Sequence, residues 1–181
     1  MRKFNAILSM AILATFLFHV IAGSFQLFGF IPGGSAVMHI IAGVMLTAIC
    51  VHVVIGVKLT ADTLTAIKKS GASYFRENKL FWIRRISGFA VMLLIIPHII
   101  VFMGSDNGGF RLNLFDIPQL IMSVLLVLAL LLHVVTNIRP LMLAFGAGRL
   151  RELAADAGFI LSVVLVFAGA AFTVYYLRWL G

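Results

Sequence analysis

Five histidines lie within long apolar stretches of the chain, and no other residues are better placed to support chemistry. They are His19, His39, His52, His98 and His133. Ionisable side chains are costly inside a bilayer and usually have a function there. Two imidazoles from different helices can fill both axial positions of a haem iron, which favours electron transfer. A single membrane histidine can equally be an interhelical hydrogen-bond donor, so the positions of the five must distinguish these roles.

Five apolar segments are predicted to carry these histidines through a membrane. The chain has 181 residues, of which 62% are hydrophobic and 11% charged, more apolar than a soluble domain can bury. A membrane-spanning helix needs about 20 apolar residues. Segments of that kind run over 5–30, 35–58, 86–104, 117–138 and 157–178. The first exceeds the roughly 7–15 residues of a signal-peptide core, so we expect a retained helix rather than a cleaved signal. The sequence predicts one all-α transmembrane domain over 1–181.

The positions of Lys and Arg predict how the helices are oriented. The N-terminus and the second and fourth connections hold nearly all of them, whereas the first connection has none and the third has only Arg111. This distribution predicts a cytoplasmic N-terminus and an external C-terminus in a plasma (inner) membrane. The formal charge of +8 is then explained by basic residues that set the topology and form a docking surface, so nucleic-acid binding is not needed to explain it. In the second connection, 62–70 is a candidate interfacial helix, and 105–109 is expected to be a flexible tip.

Helix geometry predicts two pairs of histidines at two depths. We count about 1.5 Å per residue from cytoplasmic helix ends at residues 5, 58, 86 and 139. His52 and His133 then both lie about 9 Å from the inner boundary, while His19 and His98 lie about 21 and 18 Å from it. The two levels differ by roughly 10 Å, which suits two haems exchanging electrons. The second ring nitrogen of each ligand should donate to a carbonyl or a water.

The fifth histidine, His39, does not fit either pair. Its estimated depth is about 28 Å from the inner boundary, and it is rotated some 220° from His52 around the same helix. The favoured interpretation is an interfacial hydrogen bonder. A contact with an outer quinone or haem is the alternative.

Small residues near the ligands are compatible with space for a cofactor. Gly23 and Gly56 each follow a histidine by four residues, which leaves room for a porphyrin edge or, equally, permits close helix packing. Pro97 immediately precedes His98, so it frees the carbonyl of Leu93 and bends the helix.

Basic residues at the inner end of the helices are candidate cofactor-binding groups. Arg84 and Arg85 enter the third helix there, and Lys58 and Arg139 lie at the same level. They can pair with haem propionates through charge-assisted bonds, although topology alone also explains them. Ser87 is a candidate partner for a quinone carbonyl or a propionate, so an inner quinone site is predicted beside these residues.

This pattern resembles the di-haem cytochrome b subunit of succinate dehydrogenase and fumarate reductase. The resemblance rests on one histidine in each of the first four of five helices and on the segments 16–19, 51–56, 85–98 and 132–137. It implies that His19 and His98 hold the outer haem b and that His52 and His133 hold the inner one. Family members often have glycine four residues after the fourth ligand, where this chain has Asn137.

The resemblance also implies partners. A flavoprotein and an iron–sulfur protein would dock on the cytoplasmic face, and electrons would pass through the haems to or from quinone, usually menaquinone. The dicarboxylate chemistry would belong to those other subunits, so this chain would have no catalytic residue of its own. No carboxylate lies within a predicted helix, which leaves a proton path through acidic side chains unsupported.

Two other functions are compatible with the sequence. One is a di-haem anchor for a different oxidoreductase, such as a hydrogenase or a nitrate- or thiosulfate-type enzyme. The other is a haem-free transporter or assembly subunit, for which intramembrane acidic residues, broken helices or internal repeats would be expected.

Overall fold

The computed structural model describes residues 1–33, 35–70, 78–102, 105–106, 109–110, 115–146 and 150–180. Its helices are α1 (Arg2–Phe28), α2 (Ala36–Ser70), α3 (Lys79–Phe102), α4 (Ile117–Ala144) and α5 (Leu150–Leu180). Between α3 and α4, the two-residue strands β1 (Ser105–Asp106) and β2 (Gly109–Phe110) pair antiparallel. Each of the five helices is long and apolar enough to cross a membrane. The prediction of five long apolar helices is therefore confirmed.

Large apolar side chains cover the outside of the bundle. Val54, Phe159 and Val166 are 69%, 71% and 68% exposed, and many others resemble them. A water-soluble protein rarely exposes contiguous apolar surface on this scale. Such a surface suits a multi-pass membrane protein, because acyl chains solvate it at no cost.

The helices are longer than the apolar segments that predicted them. α2 continues through Ser70, so 62–70 is part of this helix and the prediction of a separate interfacial helix is wrong. No Gly or Pro interrupts α2 after Gly56, and the hydroxyls of Thr60 and Thr63 donate to carbonyls one turn earlier. α3 begins at Lys79 rather than 86, and α5 begins at Leu150 rather than 157. Backbone hydrogen bonding continues beyond the point where the apolar residues end.

Other predictions concern the connections and helix ends. Gly29 caps the end of α1: its φ of 81° is left-handed and its N–H donates to Gln26 O. α4 continues past Arg139 and contains Pro140. The predicted tip at 105–109 includes all of β1 and Gly109 of β2, and 107–108 lie outside the described residues. Among the residues used to predict topology, Arg76, Glu77, Arg111 and Arg149 lie outside the described residues.

The closest packing joins α3 with α4, α4 with α5, α5 with α1, and α1 with α2. A buried cluster lies where α1, α3 and α5 meet the start of α4. Its members are Leu27, Val101, Phe115, Ala171, Phe172 and Tyr175. α2 contributes no buried residue at all, so it is the most peripheral of the five helices.

Candidate functional site

The structure brings His19 of α1 and His98 of α3 together. Their ring centroids are 6.4 Å apart and the ring planes cross at 75°. Helix rise had predicted a shared depth for these two residues, and we call them the outer pair. Among the described residues, α1 and α3 are not one of the closely packed helix pairs. The two rings therefore come close together although their helices are not closely packed against each other.

The spacing of the outer pair suits one metal ion between two imidazoles. A metal–imidazole bond is about 2.0 Å, and a ring nitrogen lies about 1.15 Å from the centre of a ring with bonds of ordinary length. Two such bonds in line put the ring centroids about 6.3 Å apart, close to the 6.4 Å observed. A direct hydrogen bond needs the nitrogen atoms within about 3.2 Å, and none is found between these rings.

The surroundings of the outer pair are apolar and leave ring nitrogens unsatisfied. The Nδ1 atoms of His19 and His98 are buried and have no hydrogen-bond partner among the described residues. The rings of Phe102 and Phe172 lie 4.9 and 6.2 Å from that of His98, between centroids. The predicted carbonyl or water partner is therefore not found here among the described groups. Buried polar atoms without partners are uncommon, and they often mark a site that binds something.

His52 of α2 is bonded to a serine of α1. Its Nδ1 lies 3.3 Å from Ser9 Oγ. Ser9 itself donates its only hydrogen to Asn5 O, at 2.8 Å. The serine oxygen can therefore accept a hydrogen from His52 Nδ1. In the tautomer with the proton on Nδ1, the lone pair lies on Nε2, which is then available to a metal.

The same arrangement recurs between α3 and α4. His133 Nδ1 lies 3.2 Å from Ser87 Oγ, and Ser87 donates to Arg84 O at 3.2 Å. Ser87 is 2% exposed. The hydroxyl predicted to contact quinone or a propionate is thus engaged with a histidine. The second nitrogen of each inner histidine has a serine as its partner, and the backbone of Arg84 is a further hydrogen-bond partner of His133.

The inner pair, His52 and His133, shares one electrostatic environment. The guanidinium of Arg85 lies near both rings. Gly88 packs so closely on His133 that a Cβ there would lie 3.0 Å from the ring Cε1. By contrast, a Cβ on Gly23 would have no neighbour within 4 Å, and one on Gly56 would meet only Arg85, at 3.9 Å. Open space therefore adjoins the glycines predicted to make room for a porphyrin.

The predicted basic residues differ in what they contact. Arg84 donates from Nε to Thr136 O at 2.8 Å, which links α3 to α4. The guanidinium carbon of Arg85 lies 5.1 Å from the centre of the Phe81 ring. Lys58 and Arg139 are exposed. These side chains form a positively charged end of the bundle beside the inner pair.

His39 lies apart from both pairs. It is exposed near the start of α2, and its Nδ1 is 3.1 Å from Ser35 O. This contact suits the interpretation as an interfacial hydrogen bonder, and the role of His39 stays a prediction.

The donor set is one that a haem can use. Among the described residues, no group of three or more His, Cys, Asp or Glu side chains could hold a bare metal ion. A porphyrin supplies four nitrogens itself, so two facing imidazoles are sufficient. The outer pair lies among aromatic rings, and its two imidazoles have a spacing that fits this group. The chain matches no protein family, no curated protein and no solved structure with which it was compared.

Sequence reasoning missed Ser9 and did not foresee the role of Gly88. Serines are common in membrane helices, where their hydroxyls bond to the carbonyl one turn earlier. The available signal was a serine near the inner level of each helix that carries an outer histidine, Ser9 on α1 and Ser87 on α3.

Proposed function

We propose that this chain is a membrane cytochrome b that carries electrons through two haems. It would connect a cytoplasmic flavin and iron–sulfur dehydrogenase, of the succinate dehydrogenase or fumarate reductase type, with membrane quinone. The observation that carries this proposal is the spacing of His19 and His98, which leaves room for one metal between their rings. The serine-bonded rings of His52 and His133 support a second site of the same kind.

The chain's own residues would hold and tune both cofactors. His19 and His98 would be the axial ligands of the outer haem, and His52 and His133 those of the inner haem. When bound, each haem supplies a carrier of single electrons within the low-dielectric bilayer. Phe102 and Phe172 exclude water from the outer pair. Arg85 adds positive charge beside the inner pair, where anionic propionates would be stabilised.

The charge distribution supports the proposed topology and partners. Lys58, Arg84, Arg85 and Arg139 share one end of the bundle, and the positive-inside rule assigns that end to the cytoplasm of a plasma membrane. The N-terminus would then be cytoplasmic and the C-terminus external. A flavoprotein and an iron–sulfur protein would dock at this end, and quinone, of the menaquinone type, would react near it.

Absorption spectroscopy of the purified protein tests the proposal. The protein in detergent should give a reduced-minus-oxidised b-type spectrum with two haems per chain. His98→Ala and His19→Ala should each leave one haem, and the double variant should resemble either single variant. His52→Ala and His133→Ala should remove the other haem. His39→Ala is the matched control and should retain both.

Two further measurements keep the test decisive. If His98→Ala does not accumulate, His98→Gly with added imidazole should restore the second haem, because free imidazole can occupy the vacated ligand position. Succinate should reduce the haems in native membranes if the partner is the proposed dehydrogenase. A purified, folded wild-type protein without a b-type spectrum would refute the electron-carrier proposal, whereas reduction only by another donor would refute the choice of dehydrogenase.

A further inference from the structure

Each inner histidine is held by a serine from the helix that precedes it in the chain. Ser9 of α1 holds His52 of α2, and Ser87 of α3 holds His133 of α4. Both contacts are made by Nδ1, and both serines donate to a carbonyl of their own helix. Two unrelated positions thus have the same three-part arrangement of ring, hydroxyl and backbone carbonyl.

The proposed ligation sets where the ring protons lie. A serine hydroxyl has one hydrogen, for which Asn5 O or Arg84 O is an acceptor on the same helix. With Nε2 as the proposed iron ligand, Nδ1 carries the ring proton in both inner histidines and can donate it to the serine oxygen. The outer histidines differ, because their Nδ1 atoms have no partner among the described residues.

We propose that Ser9 and Ser87 are positioning residues that orient the inner ligands and lower the reduction potential of the inner haem. This inference rests on the proposed function. A hydrogen bond accepted from Nδ1–H increases the basicity of the imidazole at its other nitrogen. A more basic axial ligand favours ferric over ferrous iron, so the potential falls. Since two serines act on one site, the inner haem has a lower potential than it would have with unbonded imidazoles.

Potentiometric titration of the holoprotein, followed by optical and electron paramagnetic resonance spectra, tests this proposal. Ser9→Ala and Ser87→Ala should each raise the potential of the inner haem and leave that of the outer haem unchanged. A tenfold change in the preference for ferric over ferrous iron corresponds to about 59 mV for a one-electron couple, and we expect a shift of up to that size. The resonance signal of the inner ferric haem should also move, because the ligand ring is no longer held.

Other serines supply matched controls. Ser24 of α1 and Ser162 of α5 donate to carbonyls of their own helices in the same way. Replacing either with alanine removes such a bond without touching an inner ligand, so both potentials should be unchanged. Ser9→Thr and Ser87→Thr keep the hydroxyl and should keep the wild-type potential.

The outcomes separate this inference from the proposed function. Loss of the inner haem in an alanine variant, with retention in the threonine variant, would also support a positioning role. Two haems with an unshifted inner potential in both alanine variants would overturn the inference and leave the electron carrier intact. An equal shift in the Ser24→Ala control would overturn it as well. Failure of the proposed function would instead appear as a wild-type protein without haem.

Discussion

Replacing Gly88 with alanine places a methyl group against the ring of His133. The new Cβ would lie 3.0 Å from Cε1 and 3.3 Å from Nδ1 of that ring. Ordinary carbon–carbon contacts begin at about 3.5 Å, so the ring must move by about 0.5 Å. The distance from a metal to its ligand tolerates only about 0.2 Å. The displacement therefore exceeds what His133 could absorb as the proposed ligand of an inner haem.

Gly88→Ala should destabilise the folded protein only slightly, although it should disturb the proposed inner haem strongly. Overpacking costs about 1–3 kcal/mol, while alanine is favoured over glycine within a helix by about 1 kcal/mol. The net destabilisation is then about 0–2 kcal/mol, which a folded bundle survives. We expect Gly88→Ala to accumulate normally, to keep the outer haem and to lose or distort the inner one.

Haem content per chain and the two ferric resonance signals provide the assay, with thermal unfolding in detergent measured in parallel. Gly169→Ala in α5 is the control, because a Cβ there has no neighbour within 4 Å. It should leave both haems unchanged and should not lower the unfolding temperature. Identical spectra for Gly88→Ala and Gly169→Ala would refute the assignment of His133 as a ligand held against α3.

Two other substitutions test contacts described above. Gly29→Ala should destabilise the protein more than Gly146→Ala. Both glycines have left-handed φ values, of 81° and 72°, which cost alanine about 1–2 kcal/mol. Only a Cβ on Gly29 would also contact the Arg178 guanidinium. Equal unfolding temperatures for these two variants would contradict that contact. Arg84→Lys should cost about 1.5–3 kcal/mol, because lysine cannot reproduce the Nε bond to Thr136 O, whereas Arg139→Lys at an exposed position should be neutral. Thermal unfolding of both variants decides this, and equal losses would speak against the bond between α3 and α4.

The number of helices and the meeting of the outer rings could be predicted from the sequence. Apolar length fixes how many helices can span a bilayer, and a constant rise per residue fixes the depth of each side chain. His19 and His98 could therefore be matched even though about 80 residues separate them. Helix ends were less predictable. Hydropathy indicates where a helix leaves the lipid, whereas the helix itself ends where its backbone hydrogen bonds end. α2, with 35 residues, shows the difference most clearly.

The hydrogen-bond partners of His52 and His133 could not be predicted, because they depend on the rotation of one helix against its neighbour. Ser9 can contact His52 only if the face of α1 that carries Ser9 is turned toward α2. Ser87 can contact His133 only if the face of α3 that carries Ser87 is turned toward α4. Depth is linear along the sequence, but rotation is set by packing across the whole bundle. For that reason Ser87 was assigned to a quinone or a propionate, and Gly88 was given no role.

The peripheral position of α2 has a consequence for assembly. None of its residues is buried, and its only close backbone packing among the described helices is with α1. A helix with so few protein contacts gains little free energy from docking. The proposed inner haem would add a link between α2 and α4 through His52 and His133. Insertion of a porphyrin would then complete the tertiary structure, and chains deprived of haem during biosynthesis should expose α2 to membrane quality-control proteases.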